Sequence, residues 1–176
     1  MTHSSEQLRK IYSLTNDINP VSFDCGDMCN QACCRTTEDD LGVYLLPGEG
    51  ELLKSVPWLK YSIQNAEDYD FPPSWTGTVV FAKCCGRCHR NLRPIQCRTF
   101  PAAPHIEQDK LVLIKETLDL PYSCPLMNHK IEKTYLDNLL KTWQLLIENP
   151  LIADLVKWDS KARRMANIKT HVLCHK

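Results

Sequence analysis

Ten cysteines in 176 residues, nine of them between Cys25 and Cys124, constrain this chain more than any other feature of its sequence. The run CGDMCNQACC sets Cys25, Cys29, Cys33 and Cys34 within ten residues. A second group holds Cys84, Cys85, Cys88 and Cys97, and Cys124 follows alone. Thiols concentrated in this way serve a disulfide framework, a metal or iron–sulfur site, or a reactive thiol with a neighbour that resolves it. Each use requires a fold that brings distant loops to one place.

The beginning of the chain, MTHSSEQLRKIYSL, is polar and lacks the apolar segment of ~7–15 residues that a secretory signal requires. The thiols are therefore expected in a reducing cytosol, which counts against disulfides. Tetrahedral zinc and iron–sulfur centres take about four thiolates, usually as close pairs from separate loops, and two groups of four suit that demand. Cys85-Gly86-Arg87-Cys88 is a C-x-x-C knuckle whose glycine lets backbone amides turn toward sulfur. The three-residue gaps between Cys25, Cys29 and Cys33 are less diagnostic, because such thiols line one face of a helical turn as readily as they wrap an ion. Adjacent thiols point in different directions, so one member of Cys33-Cys34 and one of Cys84-Cys85 serves another centre or none, and the choice between Cys84 and Cys85 stays open. Cys174 is expected to be an inert thiol. His89 and His105 lie near the second group as reserve ligands, and Asp24, Asp27 and Asp39-Asp40 are expected on solvated loop surface.

Charge narrows the partners. Lys plus Arg and Asp plus Glu both number 21, so there is no net basic field for nucleic acid or an anionic membrane. Hydrophobic residues make up 43% and no apolar run approaches the ~20 residues of a membrane span, as expected of a soluble protein. With six glycines in the chain there is no glycine-rich nucleotide loop, and no Ser-His-Asp signature or paired catalytic carboxylates stand out.

Periodicity supplies the frame. A short helix opens at Ser5-Glu6-Gln7-Leu8 with Leu8, Ile11 and Tyr12 on one face, ended by Asn19-Pro20. The first thiol group is then loop-borne. Leu41 to Leu46 leans to strand, Pro47-Gly48-Glu49 turns into a brief helix through Leu53, and NAEDYDFPPSW reads as loop. Thr78 to Ala82 and Leu111 to Ile114 are strands. Ile131, Tyr135, Leu139, Trp143 and Leu146 recur at helical spacing up to Asn149-Pro150, and Ile152, Leu155, Val156, Ala162, Met165 and Ile168 suggest another helix. The expected fold is α+β in a single domain over residues 1–176. A small cysteine-rich, metal-stabilised core with short strands (19–126) packs against an N-terminal helix and a helical C-terminal part (127–176).

The stretch from Cys88 to Pro101, CHRNLRPIQCRTFP, taken with the upstream group ending in Cys33-Cys34, resembles the YkgJ-like cysteine-cluster family, described as zinc- or iron-chelating. Its RP-x-x-CR-x-FP element is complete from Arg93 to Pro101, and Cys124-Pro125 supplies the family's downstream thiol. The spacing of the first group departs from that pattern, which leaves open whether Cys25 and Cys29 bind the same centre. The resemblance, which covers about Cys25 to Cys124, and the thiol pattern together imply metal ligation by Cys25, Cys29, Cys33, Cys34, Cys85, Cys88, Cys97 and Cys124. The cofactor would be zinc, iron or an iron–sulfur cluster, in one or two centres. Pro94 and Pro101 would stiffen the loop around Cys97, and Arg93 and Arg98 would offset the charge of a tetrathiolate, about −2 for zinc. Three functions follow: a metal protein with a redox or electron-transfer role, a structural-zinc module that binds a protein partner, and, by analogy with flagellin lysine methylases, a protein-modifying enzyme.

Overall fold

Leu8, Ile11 and Tyr12 recur at the spacing of one helical face, and in the computed structural model they are buried on α1 (Ser5–Ser13). The structure describes residues 5–35, 42–86 and 88–175; the expectations for Asp39-Asp40, Leu41 and Arg87 fall outside these. The architecture is α+β, and among the described residues it has six α-helices and two three-stranded antiparallel sheets.

In the first sheet, β3 (Thr78–Cys84) lies between β1 (Val43–Tyr44) and β2 (Leu59–Asn65), with Val43 opposite Ala82 and Leu59 opposite Cys84. The expected strand Thr78 to Ala82 thus runs two residues further and carries Cys84. The strand β2 was not expected, although Leu59, Tyr61 and Ile63 alternate with Lys60, Ser62 and Gln64 at the period of two that marks a strand. A short helix, α3 (Glu49–Leu53), starts after Gly48, whose φ of 95° suits glycine. From 66 to 77 the chain is a 3-10 turn and loop whose Phe71 and Trp75 rings stack 4.9 Å apart, and Trp75 donates its indole N–H to Leu151.

The second sheet has the order β4 (Ala102–Glu107), β5 (Lys110–Lys115), β6 (Val172–Cys174). A two-residue turn joins β4 to β5, with Gln108 and Asp109 both at positive φ as hairpin twist requires. The turn lacks the glycine that usually marks this geometry, so β4 was not legible. The chain's end was expected to be helical and forms an edge strand instead, placing Cys174 opposite Leu113.

Two helices complete the fold. The helix expected from Ile131 begins two residues later, as α5 (Lys133–Leu146), and is preceded by a 3-10 turn at 125–128. The last helix, α6 (Pro150–Met165), starts with Asn149 accepting from the Leu151 N–H and Pro150 at its first position, a standard helix start. Met165, assigned to its apolar face, is 74% exposed and Ile168 lies beyond its end. Buried residues from α1, α3, β3, α4 (Ile95–Thr99), β5, α5 and α6 form one continuous apolar cluster, with Ile95, Leu113, Leu139, Leu146 and Ile152 at its centre. No helix among the described residues is long and apolar enough to cross a membrane.

One carboxyl within this frame should leave a pH signature. Burial raises Asp159 on α6 to about 6, against the pull of Arg163 and with help from Glu116 and Asp70. The folded state therefore holds this proton more tightly than the unfolded chain, whose Asp titrates near ~3.9. Its stabilisation is complete below that value and is lost as pH rises through about 6. Asp159→Asn is expected to gain thermal stability relative to the native chain between pH 4 and 7; parallel melting curves across that range would refute it.

Candidate metal centre

Four stretches of chain meet at one cavity of about 210 Å³, and eight of the ten cysteines line it. Residues 25–34 contribute Cys25, Cys29, Cys33 and Cys34; the end of β3 and the loop after it contribute Cys84 and Cys88; α4 contributes Cys97; the segment before the 3-10 turn 125–128 contributes Cys124. All ten cysteines are free thiols. Seven of the eight candidate ligands read from sequence and resemblance are therefore neighbours in space. The eighth, Cys85, is exposed, with its Sγ 4.0 Å from the Lys83 carbonyl, while Cys84 faces the cavity; successive residues at a strand's end point to opposite sides. Cys174 lies apart, its Sγ 3.8 Å from Asp137 Oδ1.

Local backbone explains how 25–34 presents four thiols. Cys25 caps and Cys29 ends a one-turn helix, α2 (Gly26–Cys29), so this group rests on helical turns instead of the expected loop. Asn30 and Gln31 then both adopt the left-handed conformation, at φ 51° and 57°. That costs roughly 1–2 kcal/mol for a residue such as glutamine and reverses the chain into a 3-10 turn that carries Cys33 and Cys34. Hydrogen bonds from Gln31 N to Gly26 O (3.0 Å) and from Cys34 N to Gln31 O (2.8 Å) hold the reversal.

The sulfurs form a chain of contacts. Cys34 Sγ lies 3.1 Å from Cys88 Sγ and 3.7 Å from Cys33 Sγ. Arg93 donates Nε–H to Cys88 Sγ at 3.1 Å, and its Nη2 stands 3.7 Å from Asp24 Oδ1, which also accepts from Gly26 N at 3.0 Å. Asp24 is thus engaged with the site and not free loop surface. Hydrogen bonds from Cys34 and Cys84, reinforced by the Arg93 guanidinium, hold the Cys88 thiol far below its usual range. Burial pushes Cys97 up to about 12, and the hydrogen bond to Cys34 together with burial raises Cys33. Within one cavity the thiolate form is thus favoured at Cys88 and disfavoured at Cys33 and Cys97. Among the described residues, no three Cys, His, Asp or Glu side chains converge closely enough to hold a metal ion as they stand.

The two arginines have different roles. Arg98 is fully buried, and its hydrogen bonds go to the carbonyls of Arg93 (2.8 Å), Tyr12 (3.2 Å) and Asn91, to Thr15 Oγ1 (3.2 Å) and to Asn16 Oδ1 (2.7 Å). Its guanidinium stacks 4.1 Å from the Tyr12 ring, whose hydroxyl donates to the fully buried Glu49 at 2.5 Å. Glu49 also accepts from the backbone N–H of Leu46 and of Ile95. Tyr135 donates to the Arg98 carbonyl. This network ties α1, α3 and α5 to the helical turn that bears Cys97, so Arg98 fixes the loop and Arg93 addresses the sulfur.

Of the reserve ligands, His89 is exposed and packs on Trp58, with ring centroids 5.1 Å apart. His105 is buried on β4 and lies outside the cavity wall. Trp58, Phe100, Leu118, Leu120 and Tyr122 also line the cavity; apart from Phe100 in the RP-x-x-CR-x-FP element none was singled out from sequence, since an apolar lining built from distant segments has no local signature. No protein-family model matches this chain, and neither a curated protein nor a solved structure matches it.

Proposed function

We propose that this chain is a cysteine-ligated metal protein holding zinc or iron, including iron as an iron–sulfur cluster, with the cavity thiols as ligands. The observation that carries this reading is the gathering of eight free thiols from four chain segments around one 210 Å³ cavity. Pairwise disulfides need no such common focus, whereas a soft cation does. Arg93 supplies the expected support: a buried guanidinium on a thiolate offsets the charge that thiolate ligation builds up. The apolar side chains in the cavity lining lower the local polarity and would so strengthen the interaction of the sulfurs with a bound cation. The resemblance of the Arg93 to Pro101 element to the YkgJ-like family points the same way.

The metal decides the role. Iron with sulfide gives a redox centre suited to electron transfer; zinc gives a structural site that holds 25–34 and 84–98 in place for a protein partner. The test is elemental analysis, with a visible spectrum, of untagged protein purified without air. At least one equivalent of zinc or iron per chain is expected, and Cys97→Ser is expected to lower metal content and thermal stability together. Metal-free protein, or a variant with both values unchanged, would sink the proposal.

A further inference from the structure

We propose that Cys34 and Cys88 form a redox pair, which a hydroperoxide oxidises to a disulfide, and that this bond removes two thiols from the ligand set and releases the metal. Only the release rests on the metal-binding reading; the dithiol chemistry needs no ion.

Three observations select this pair. The first is contact: Cys34 Sγ lies 3.1 Å from Cys88 Sγ, although 54 residues of sequence separate them. A disulfide bond is ~2.05 Å long, so the two sulfurs have about 1 Å to close. The neighbouring contact, Cys33 Sγ to Cys34 Sγ at 3.7 Å, does not compete. Adjacent Cα atoms stand ~3.8 Å apart, below the ~4.4–6.8 Å that an unstrained disulfide spans. The second observation is Arg93, a buried side chain paired with Asp24, which donates its Nε–H to Cys88 Sγ at 3.1 Å. A guanidinium against sulfur favours the anion that attacks peroxide, which makes Cys88 the nucleophile and Cys34 the thiol that resolves it. The third is access. Cys34 and Cys88 are only 8% and 6% exposed, yet both line the cavity of about 210 Å³. Cys33 and Leu118, both exposed, share that lining and place the cavity at the surface. Hydrogen peroxide, about the size of two waters at ~30 Å³ each, fits within it.

The chemistry balances without a further reagent. The Cys88 sulfur attacks one peroxide oxygen, the O–O bond breaks, and Cys88 becomes a sulfenic acid while the departing hydroxide takes up the proton that Cys88 gave. Cys34 then attacks the sulfenic sulfur; the S–S bond forms, the S–O bond breaks, and the second hydroxide leaves with the Cys34 proton as water. Two thiols are oxidised and one peroxide is reduced to two waters. Metal ligation requires thiolates, so the disulfide withdraws both sulfurs from it, and a dithiol reductant restores them by exchange.

The test treats the reduced, metal-free full chain with one equivalent of hydrogen peroxide, blocks the remaining thiols and maps the crosslinked peptides by mass spectrometry. Loss of two thiols per chain and one dominant crosslink, joining the peptide of Cys33-Cys34 to that of Cys88, are expected. Cys33→Ser should keep the crosslink. Cys34→Ser should lose it and leave a sulfenic acid on Cys88 that a cyclic diketone traps. The zinc-loaded native chain, given peroxide beside a chromogenic zinc chelator, should release zinc as the crosslink forms and take zinc up again once a dithiol reductant is added. A different dominant crosslink, no crosslink in the native chain, or its loss in Cys33→Ser would overturn the redox pair and leave metal binding intact. Zinc retained while the crosslink forms would overturn the release. A reduced chain that forms the crosslink but binds no zinc would overturn the metal-binding reading, and the release with it, and leave the pair standing.

Discussion

Replacing Arg98 by alanine is expected to destabilise the fold by about 3–5 kcal/mol, the usual cost of removing one partner from a buried charged network. That is a large share of the ~5–15 kcal/mol available to a domain. Five groups would lose a donor at once, namely the carbonyls of Arg93, Tyr12 and Asn91, Thr15 Oγ1 and Asn16 Oδ1, and the buried Glu49 would lose a cation that favours its charged form. Arg98→Lys should recover little, because an ammonium has three donors in a different geometry and no planar face to stack on Tyr12. Urea denaturation monitored by tryptophan fluorescence measures this. A midpoint for Arg98→Ala corresponding to less than ~1 kcal/mol of lost stability would show that the network is dispensable.

The second large effect is expected from metal removal. A ligand that binds only the folded state at a thousand times its dissociation constant stabilises by about 4 kcal/mol, and structural zinc sites contribute more. On the metal-binding proposal, stripping the metal under reducing conditions should therefore lower the melting temperature and loosen residues 25–34 and 84–98, which ligation would hold. The apolar centre around Leu113, Leu139, Leu146 and Ile152 is carried by β5, α5 and α6 and should stay protected. Amide hydrogen exchange before and after chelation separates the two regions. Equal exchange across 25–34 in both states would mean that hydrogen bonds and packing alone order this segment.

The helices were the most legible part of the fold because their signal is repeated. In α5, Tyr135, Leu139, Trp143 and Leu146 mark the buried face over several turns, and Asn149-Pro150 marks the next start. The strands were less legible where a single cue failed. Only Leu59 of β2 is buried, so its alternation carries little burial, and the β4–β5 turn uses Gln108 and Asp109 where glycine or asparagine is usual. The edge strand β6 is three residues long and takes its identity from pairing with β5, which no local pattern reports.

At the site, the residue types and their clustering in sequence were enough to nominate the thiols and Arg93. The sequence by itself determined the inventory, namely thiols in two dense groups, an arginine–proline frame around Cys97 and helical faces to support them. Only the tertiary structure decided that Cys84 and not Cys85 faces the cavity, that Arg93 bonds sulfur while Arg98 braces the loop, that Asp24 holds Arg93, and that Cys34 meets Cys88. The physical reason is range. Helix and strand periodicities arise between residues two to four apart, but a side chain's partner depends on where distant segments pack, and Cys34 and Cys88 are 54 residues apart along the chain.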